Sequence, residues 1–247
     1  MANRVYLNGA KLAPPGGVGR NAAWTPSSRT PLAASYRLPL AWMCLFAPGD
    51  VTYRQVSDDD AWIEVATPAA AGLARLATRA PRLRAVAGDL GYLVDAFVEH
   101  AQTLGPWIVA DVFELAMMSK LPQFCEGLMI ALVQLDRPDA MTPGEGSHVF
   151  FSGLRADWRT ADDPEGAIIG WKRGWPPKRP ADEDHRLAWR EAVATRPPVA
   201  YAPGGDFAVG TLLAHPTLGT GLVVVQREGG KLDVFFENGV RQLVHRR

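Results

Sequence analysis

The residues of this chain whose side chains could do chemistry are five histidines, two cysteines, one run of three aspartates and a stretch rich in tryptophan and basic residues. His100, His148, His185, His215 and His245 are scattered. A zinc helix needs two histidines on one face with a glutamate between them, H-E-x-x-H, and that spacing does not occur. His215 and His245 could meet inside one small fold and, with an acid, bind a metal. The plainer reading is that His215 belongs to a His-Pro turn with Pro216 and that His245 ends a strand. Asp58, Asp59 and Asp60 could hold Mg²⁺ only if they converged, and consecutive residues on a strand point to alternate faces. They read instead as a turn or as an acidic knob facing a partner. No metal and no cofactor is expected.

Other reactive signatures are missing. The chain has no G-x-S-x-G elbow and no G-x-x-x-x-G-K-[ST] phosphate loop. Gly16, Gly17 and Gly19 follow Pro14-Pro15 and open no helix, so they do not cradle a phosphate. Cys44 and Cys125 form neither a disulfide framework nor a metal-ligand pattern, and Cys125 is expected as a packed core thiol. Trp171, Lys172, Arg173 and Trp175, with Trp158, Lys178 and Arg179 nearby, carry two readings. Bases could stack on the rings while the cations track phosphates. Alternatively, tryptophans pin a loop whose charge Asp162, Asp163, Glu165, Asp182, Glu183 and Asp184 neutralise. No catalytic residue is assigned. The expected partner-binding residues are Asp58, Asp59, Asp60, Trp171, Lys172, Arg173 and Trp175.

Composition bounds what positions these residues. The 247 residues are 47% hydrophobic and 21% charged, enough for one large or two small domains with a core. Lys plus Arg equals Asp plus Glu at 26 each, without the basic excess of a dedicated nucleic-acid binder. The start lacks an apolar segment of signal-peptide length, and no apolar run approaches bilayer thickness. We expect a soluble, cytoplasmic protein, with no membrane partner.

Along the chain, residues 3–7 predict a strand, and the Gly- and Pro-rich stretch to Pro31 a loop. Residues 35–46, SYRLPLAWMCLF, predict a buried strand in which Pro39 implies an edge or a bulge. Strands at 51–56 and 61–65 flank the aspartates. Thr67 is expected to cap a helix over 69–79, with Pro68 tolerated at its start. Helices follow at 89–104 and 122–135, each with an apolar stripe at helical spacing, and between them a strand at 107–113 or, as the alternative, a helix reaching Met118. Strands are expected at 148–154 and 167–171, and a helix at 184–195. The Pro- and Gly-rich residues 196–206 then read as a domain boundary.

The last forty residues carry the clearest fold signal. Gly229-Gly230 and Asn238-Gly239 supply the positive φ angles of two-residue hairpin turns. Between them Leu232, Val234 and Phe236 alternate with Asp233, Phe235 and Glu237, one face buried and one partly wet. Four short strands with tight turns bury little as an open sheet, so a small closed barrel is expected. The fold class is therefore α+β: a mixed sheet-and-helix domain over 1–200 followed by an all-β barrel over 206–247.

The segment HPTLGTGLVVV…KLDVFFENGVRQLVH resembles the SH3-like or Tudor-like barrels that end many bacterial proteins, with the pattern HP.fG.G.V…V.FedG.r.LvH. Similar modules serve as docking domains at the C-termini of some bacterial DNA-repair helicases. The resemblance implies a binding surface, for which His215, Phe235, Arg241 and His245 are the candidates. A methyl-lysine cage is not expected, because the tail offers Phe207, Phe235 and Phe236 but no Tyr or Trp. The opening MANRVYLNG with SYRLPLAWMCLF is similar to a set of bacterial proteins beginning MANRsYLY, associated with immunity genes of contact-dependent toxin systems. Val5 and Asn8 depart from that pattern.

These observations lead to a non-catalytic binding protein, an immunity protein that neutralises a toxin by direct docking. An alternative is an adaptor that holds nucleic acid or transcription or repair machinery through the barrel. A second alternative is an enzyme using scattered His and Asp residues.

Overall fold

The computed structural model describes residues 4–11, 31–55, 61–137, 141–160, 163–171 and 179–244. The chain divides into two units, Met1–Pro177 and Lys178–Arg247. Both helices and sheets are present, which makes the class α+β.

The first unit is built on strands β1 (Arg4–Ala10) and β2 (Leu32–Ser35), helix α1 (Leu40–Met43), strands β3 (Val51–Gln55) and β4 (Ala61–Pro68), and helices α2 (Ala69–Ala87) and α3 (Gly91–Ala101). Strand β5 (Trp107–Asp111) and helices α4 (Phe113–Ala116), α5 (Leu121–Gln134), α6 (His148–Ser152) and α7 (Pro164–Ile169) complete it. The sheet runs β2-β1-β5-β4-β3, antiparallel throughout. Its register aligns Leu7, Ala110, Val65 and Val51 across four strands, and all four side chains are buried in one core. Leu76, Leu83, Phe97 and Leu128 join that core from the helices, at the i, i+3, i+4 spacing that gives each helix an apolar stripe.

The residues from Leu38 to Phe46 are where sequence and structure part. A continuous strand over 35–46 is replaced by β2, a break, and the single-turn helix α1. Pro39 stands at the helix N-cap, where its missing N–H leaves no bond unmade. Leu40 to Phe46 are wholly buried, and the carbonyls that end the turn need donors there. Two arginines one turn apart on α2 provide them. Arg75 Nη1 donates to Leu45 O (3.0 Å), and Arg79 Nη1 donates to Phe46 O (2.8 Å) and Cys44 O (3.2 Å). Helix α2 also runs on past Arg79 and through Pro81, because Ala80, Leu83 and Ala87 continue its buried face. It stops at Gly88, at φ +59°, where an added Cβ would lie 2.4 Å from Arg159 Nη2.

Three further expectations are corrected. Residues 148–152 and 164–169 are helices rather than strands. The latter is capped by Asp163, whose Oδ1 accepts from Gly166 N at 2.9 Å. Thr67 does not cap α2; its hydroxyl accepts from Arg75 at 3.1 Å instead.

The second unit contains helix α8 (Glu183–Thr195) and strands β6 (Val199–Ala200), β7 (Leu212–His215), β8 (Gly219–Arg227), β9 (Lys231–Phe236) and β10 (Gly239–Val244). The four strands expected in the tail are present, joined by the two glycine turns, with Gly229 at φ +75° and Gly239 at φ +98°. The division of the chain falls ahead of α8, so residues 196–206 lie inside this unit. The sheet order is β10-β9-β8-β7-β6, and among the described residues no ladder joins β10 to β6. A closed barrel is not found among the described residues. Strand β6 is two residues long and pairs in parallel with β7.

Candidate functional site

In the first unit, a pocket of about 530 Å³ opens where the ends of β3 and β4 meet the link between α4 and α5. Gln55 and Ala61 form its sheet wall, and among the described residues Met117, Ser119, Lys120, Leu121, Pro122 and Gln123 line it further. The backbone explains the placement. Gln55 and Ala61 are register partners at the end of the β3–β4 ladder. Residues 117–120 leave α4 in a tight turn, with Ser119 N donating to Ala116 O, before Pro122 opens α5. Met117 and Met118 are 42% and 55% exposed, an unusual position for two adjacent thioethers. Methionine is flexible and polarisable, so such a rim adapts to the shape of what lands on it. Among the described residues the lining holds one ionisable side chain, Lys120.

In the second unit the two faces of the sheet carry different side chains. One face packs Phe207, Leu213, Val223, Leu232, Val234 and Phe236 with Tyr201. Tyr201 stacks between His215 (5.0 Å) and Phe207 (5.9 Å), and its hydroxyl donates to Val244 O at 2.8 Å. On the other face α8 lays Trp189 and His185 against Phe235, each with rings 6.4 Å apart. Beside them Asp233 is buried and accepts from Arg227 Nε at 2.7 Å. That hydrogen bond holds the Asp233 carboxyl below the usual carboxylate range.

Comparison of the chain with protein-family models, curated proteins and solved structures finds no match.

The expected site residues do not form one constellation. Trp171 is 43% exposed and exchanges two backbone hydrogen bonds of 2.7 Å with Ala33, which ties it to β2. Trp158, grouped with it in sequence, is buried in the core with the Arg159 guanidinium 4.8 Å above its ring. Lys172, Arg173 and Trp175, Asp58, Asp59 and Asp60, and His245 lie outside the described residues. Phe235, expected on the barrel surface, is fully buried, because α8 covers the face that alternation left partly wet. His215 is on the opposite face. Its Nδ1 accepts from Leu218 N (3.2 Å) and Thr217 N (3.3 Å), so it closes the His-Pro turn. Arg241 is exposed on β10 and donates to Val240 O.

Both thiols are buried and pushed up to about 12, so neither is a nucleophile at neutral pH. Among the described residues no group of three His, Cys, Asp or Glu side chains is placed to hold a metal, and no helix is long and apolar enough to cross a membrane. Three residues escaped the sequence reading. Tyr201 sits in a Pro-rich stretch that reads as a linker. Met117 and Met118 end an apolar run just ahead of Ser119 and Lys120, and residue type alone gives no sign of their exposure.

Proposed function

We propose that the chain is a binding protein that acts by docking on a protein partner, and that the partner is a toxin it neutralises. The observation that supports this reading best is the exposed Met117-Met118 rim beside the pocket walled by Gln55 and Ala61. An inhibitor needs a complementary surface rather than reactive groups, and adaptable apolar side chains around a concavity supply one. The similarity of the opening residues to immunity proteins points the same way.

Affinity capture from the source organism's lysate, at low and moderate salt, tests it. The expected result is one stoichiometric protein that survives moderate salt and is lost on the double substitution Met117→Glu/Met118→Glu. A partner retained in full by that variant removes this surface from the proposal.

A second reading has its own support. We infer that the second unit is an SH3- or Tudor-like module, because the Tyr201 hydroxyl reaches Val244 O and so links the ends of a sheet whose backbone does not close. Such a module would make the chain an adaptor for nucleic acid or its machinery. Capture of nucleic acid that weakens steeply with salt is the result expected under it. Capture of nothing at either salt counts against both readings.

A further inference from the structure

Helix α8 ends where its sequence must end it. Thr195 is followed by Arg196-Pro197-Pro198, and neither proline has the N–H that a further helical turn needs. Arg196 leaves the helix in extended backbone, at φ −137° and ψ 141°. The chain then runs along β7 as the short strand β6, with Val199 opposite Leu213. The turn that leads into β7 is pinned to β8: Gly210 N donates to Val223 O (2.8 Å), and Val223 N donates to Thr211 O (2.9 Å). Between the helix end and this turn lies a groove of about 370 Å³, lined by Arg196, Pro197, Val199, Val209, Thr211 and Leu212. Val199 and Val209 are 54% and 59% exposed. Single exposed aliphatic residues are ordinary, but two that line one groove beside an unpaired cation are not. That cation is Arg196, whose Nη1 donates to Gly210 O at 3.1 Å. Among the described residues this is its one side-chain bond, and no carboxylate pairs with it. Most of the five N–H donors of its guanidinium are left for another acceptor. Arg227 of the same unit, by contrast, is taken up by Asp233.

We propose that this groove binds an extended segment of a protein partner that carries an aspartate or glutamate beside an aliphatic residue. The carboxylate pairs with Arg196, and the aliphatic side chain lies on Val199 and Val209. The chemistry of the lining selects that occupant. A guanidinium offers a carboxylate two parallel N–H donors, and the valines offer an aliphatic side chain a surface from which water leaves on binding. Pro197 and Pro198 stiffen the chain on one side of the groove, which lowers the ordering cost of binding. Nucleic acid suits the groove poorly. Among the described residues no aromatic ring lines it for a base to stack on, and its one cation neutralises one phosphate only. This inference goes beyond the docking proposal, since it concerns another unit and another surface.

Selection of phage-displayed random peptides on the full-length chain tests it, followed by fluorescence anisotropy with one selected peptide. The parent should enrich peptides with Asp or Glu close to Val, Ile or Leu. Arg196→Glu should enrich Lys or Arg in place of the acid, and a loss of folding cannot reverse the charge that is selected. Arg196→Gln keeps a side-chain donor for Gly210 O and removes the charge. It should weaken the parent's peptide by about 10-fold or more while its melting temperature stays at the parent's. Enrichment of no peptide, enrichment of peptides without acids, or an acidic peptide held equally by Arg196→Gln overturns the proposal. Displacement of the peptide by a single-stranded DNA oligonucleotide also overturns it and gives the groove to nucleic acid. The readout uses neither a lysate nor the Met117-Met118 rim, so its failure leaves the docking proposal standing.

Discussion

Each unit buries one member of an arginine–aspartate pair, and the two make opposite choices. In the first unit the cation is inside: the Arg79 side chain is 1% exposed and its partner Asp136 is 66% exposed, at 2.9 Å. In the second the acid is inside: the Asp233 side chain is 11% exposed and Arg227 55%. The difference follows from what else each buried group can bond. A guanidinium has five donors, and Arg79 uses the spare ones on Cys44 O and Phe46 O. Together with Arg75, which donates to Leu45 O, it satisfies the carbonyls of a buried turn. A carboxylate only accepts, so Asp233 needs donors brought to it, and Arg227 and the Gln242 side chain bring them from the strands on either side of β9. One pair staples a segment into the core. The other fastens three strands together.

The largest effect should come from removing the cation of the first unit. Arg79→Met keeps much of the buried stem but leaves two buried carbonyls without donors, at a cost of about 3 kcal/mol or more. Asp136→Asn should cost clearly less, since an asparagine oxygen still accepts and Arg79 keeps both carbonyls. Urea unfolding of the two variants checks this ranking. Equal losses would mean that charge pairing, rather than the carbonyls, holds the turn, and the contrast between the units would collapse. The Asp136 carboxyl is held below its ordinary value by the Arg79 hydrogen bond. Its stabilising share is therefore present above the ordinary aspartate range and is lost as pH falls through its lowered folded value.

The second unit should give the opposite pattern. Arg227→Met removes the exposed partner and leaves a buried carboxylate short of donors, so it should destabilise the fold by more than an exposed arginine normally does. Adding Asp233→Asn to Arg227→Met should recover part of the loss, because the uncompensated charge goes with it. Thermal melts of both single variants and the double variant decide the matter. Strictly additive losses would show that the two residues do not act as a pair.

The contrast also explains what could be read in advance. The tail was legible because its information is local: Gly229-Gly230 and Asn238-Gly239 set the turns, and the alternation from Lys231 to Phe236 sets the faces. What it hid was tertiary. Phe235 and Asp233 sit on the face that α8 covers, and no local pattern announces a helix contributed from upstream of a Pro-rich stretch. In the first unit, Leu38 to Phe46 are buried on every side, so their apolar run has no period and a short helix looks like a strand. Residues 148–152 and 164–169 form helices of five and six residues, too short to show a helical period. Arg75 and Arg79, four apart on α2, were visible as a basic pair, but the carbonyls they serve belong to a turn that sequence had drawn as a strand. The site suffered most. The acidic run at 58–60 drew attention by its charge, whereas Met117 and Met118 are informative only through their exposure.

A third buried polar group sharpens the comparison because it has no charged partner. His148 on α6 is 2% exposed, and its Nε2 finds no hydrogen-bond partner among the described residues. Burial alone pulls its pKa below the ordinary histidine value. The folded chain therefore keeps the ring neutral, while the unfolded chain takes up a proton once pH falls through about 6.5. Stability tied to His148 is fully present above that pH and drains away below it, by at most about 1.4 kcal/mol per pH unit. His148→Gln removes the titration while keeping a polar side chain. Melting temperatures at about pH 7.5 and about pH 5.5 should fall less for this variant than for the parent. Parallel pH profiles would mean that a protonated imidazole finds an acceptor inside the fold, and His148 would then belong with Arg79 rather than stand apart from it.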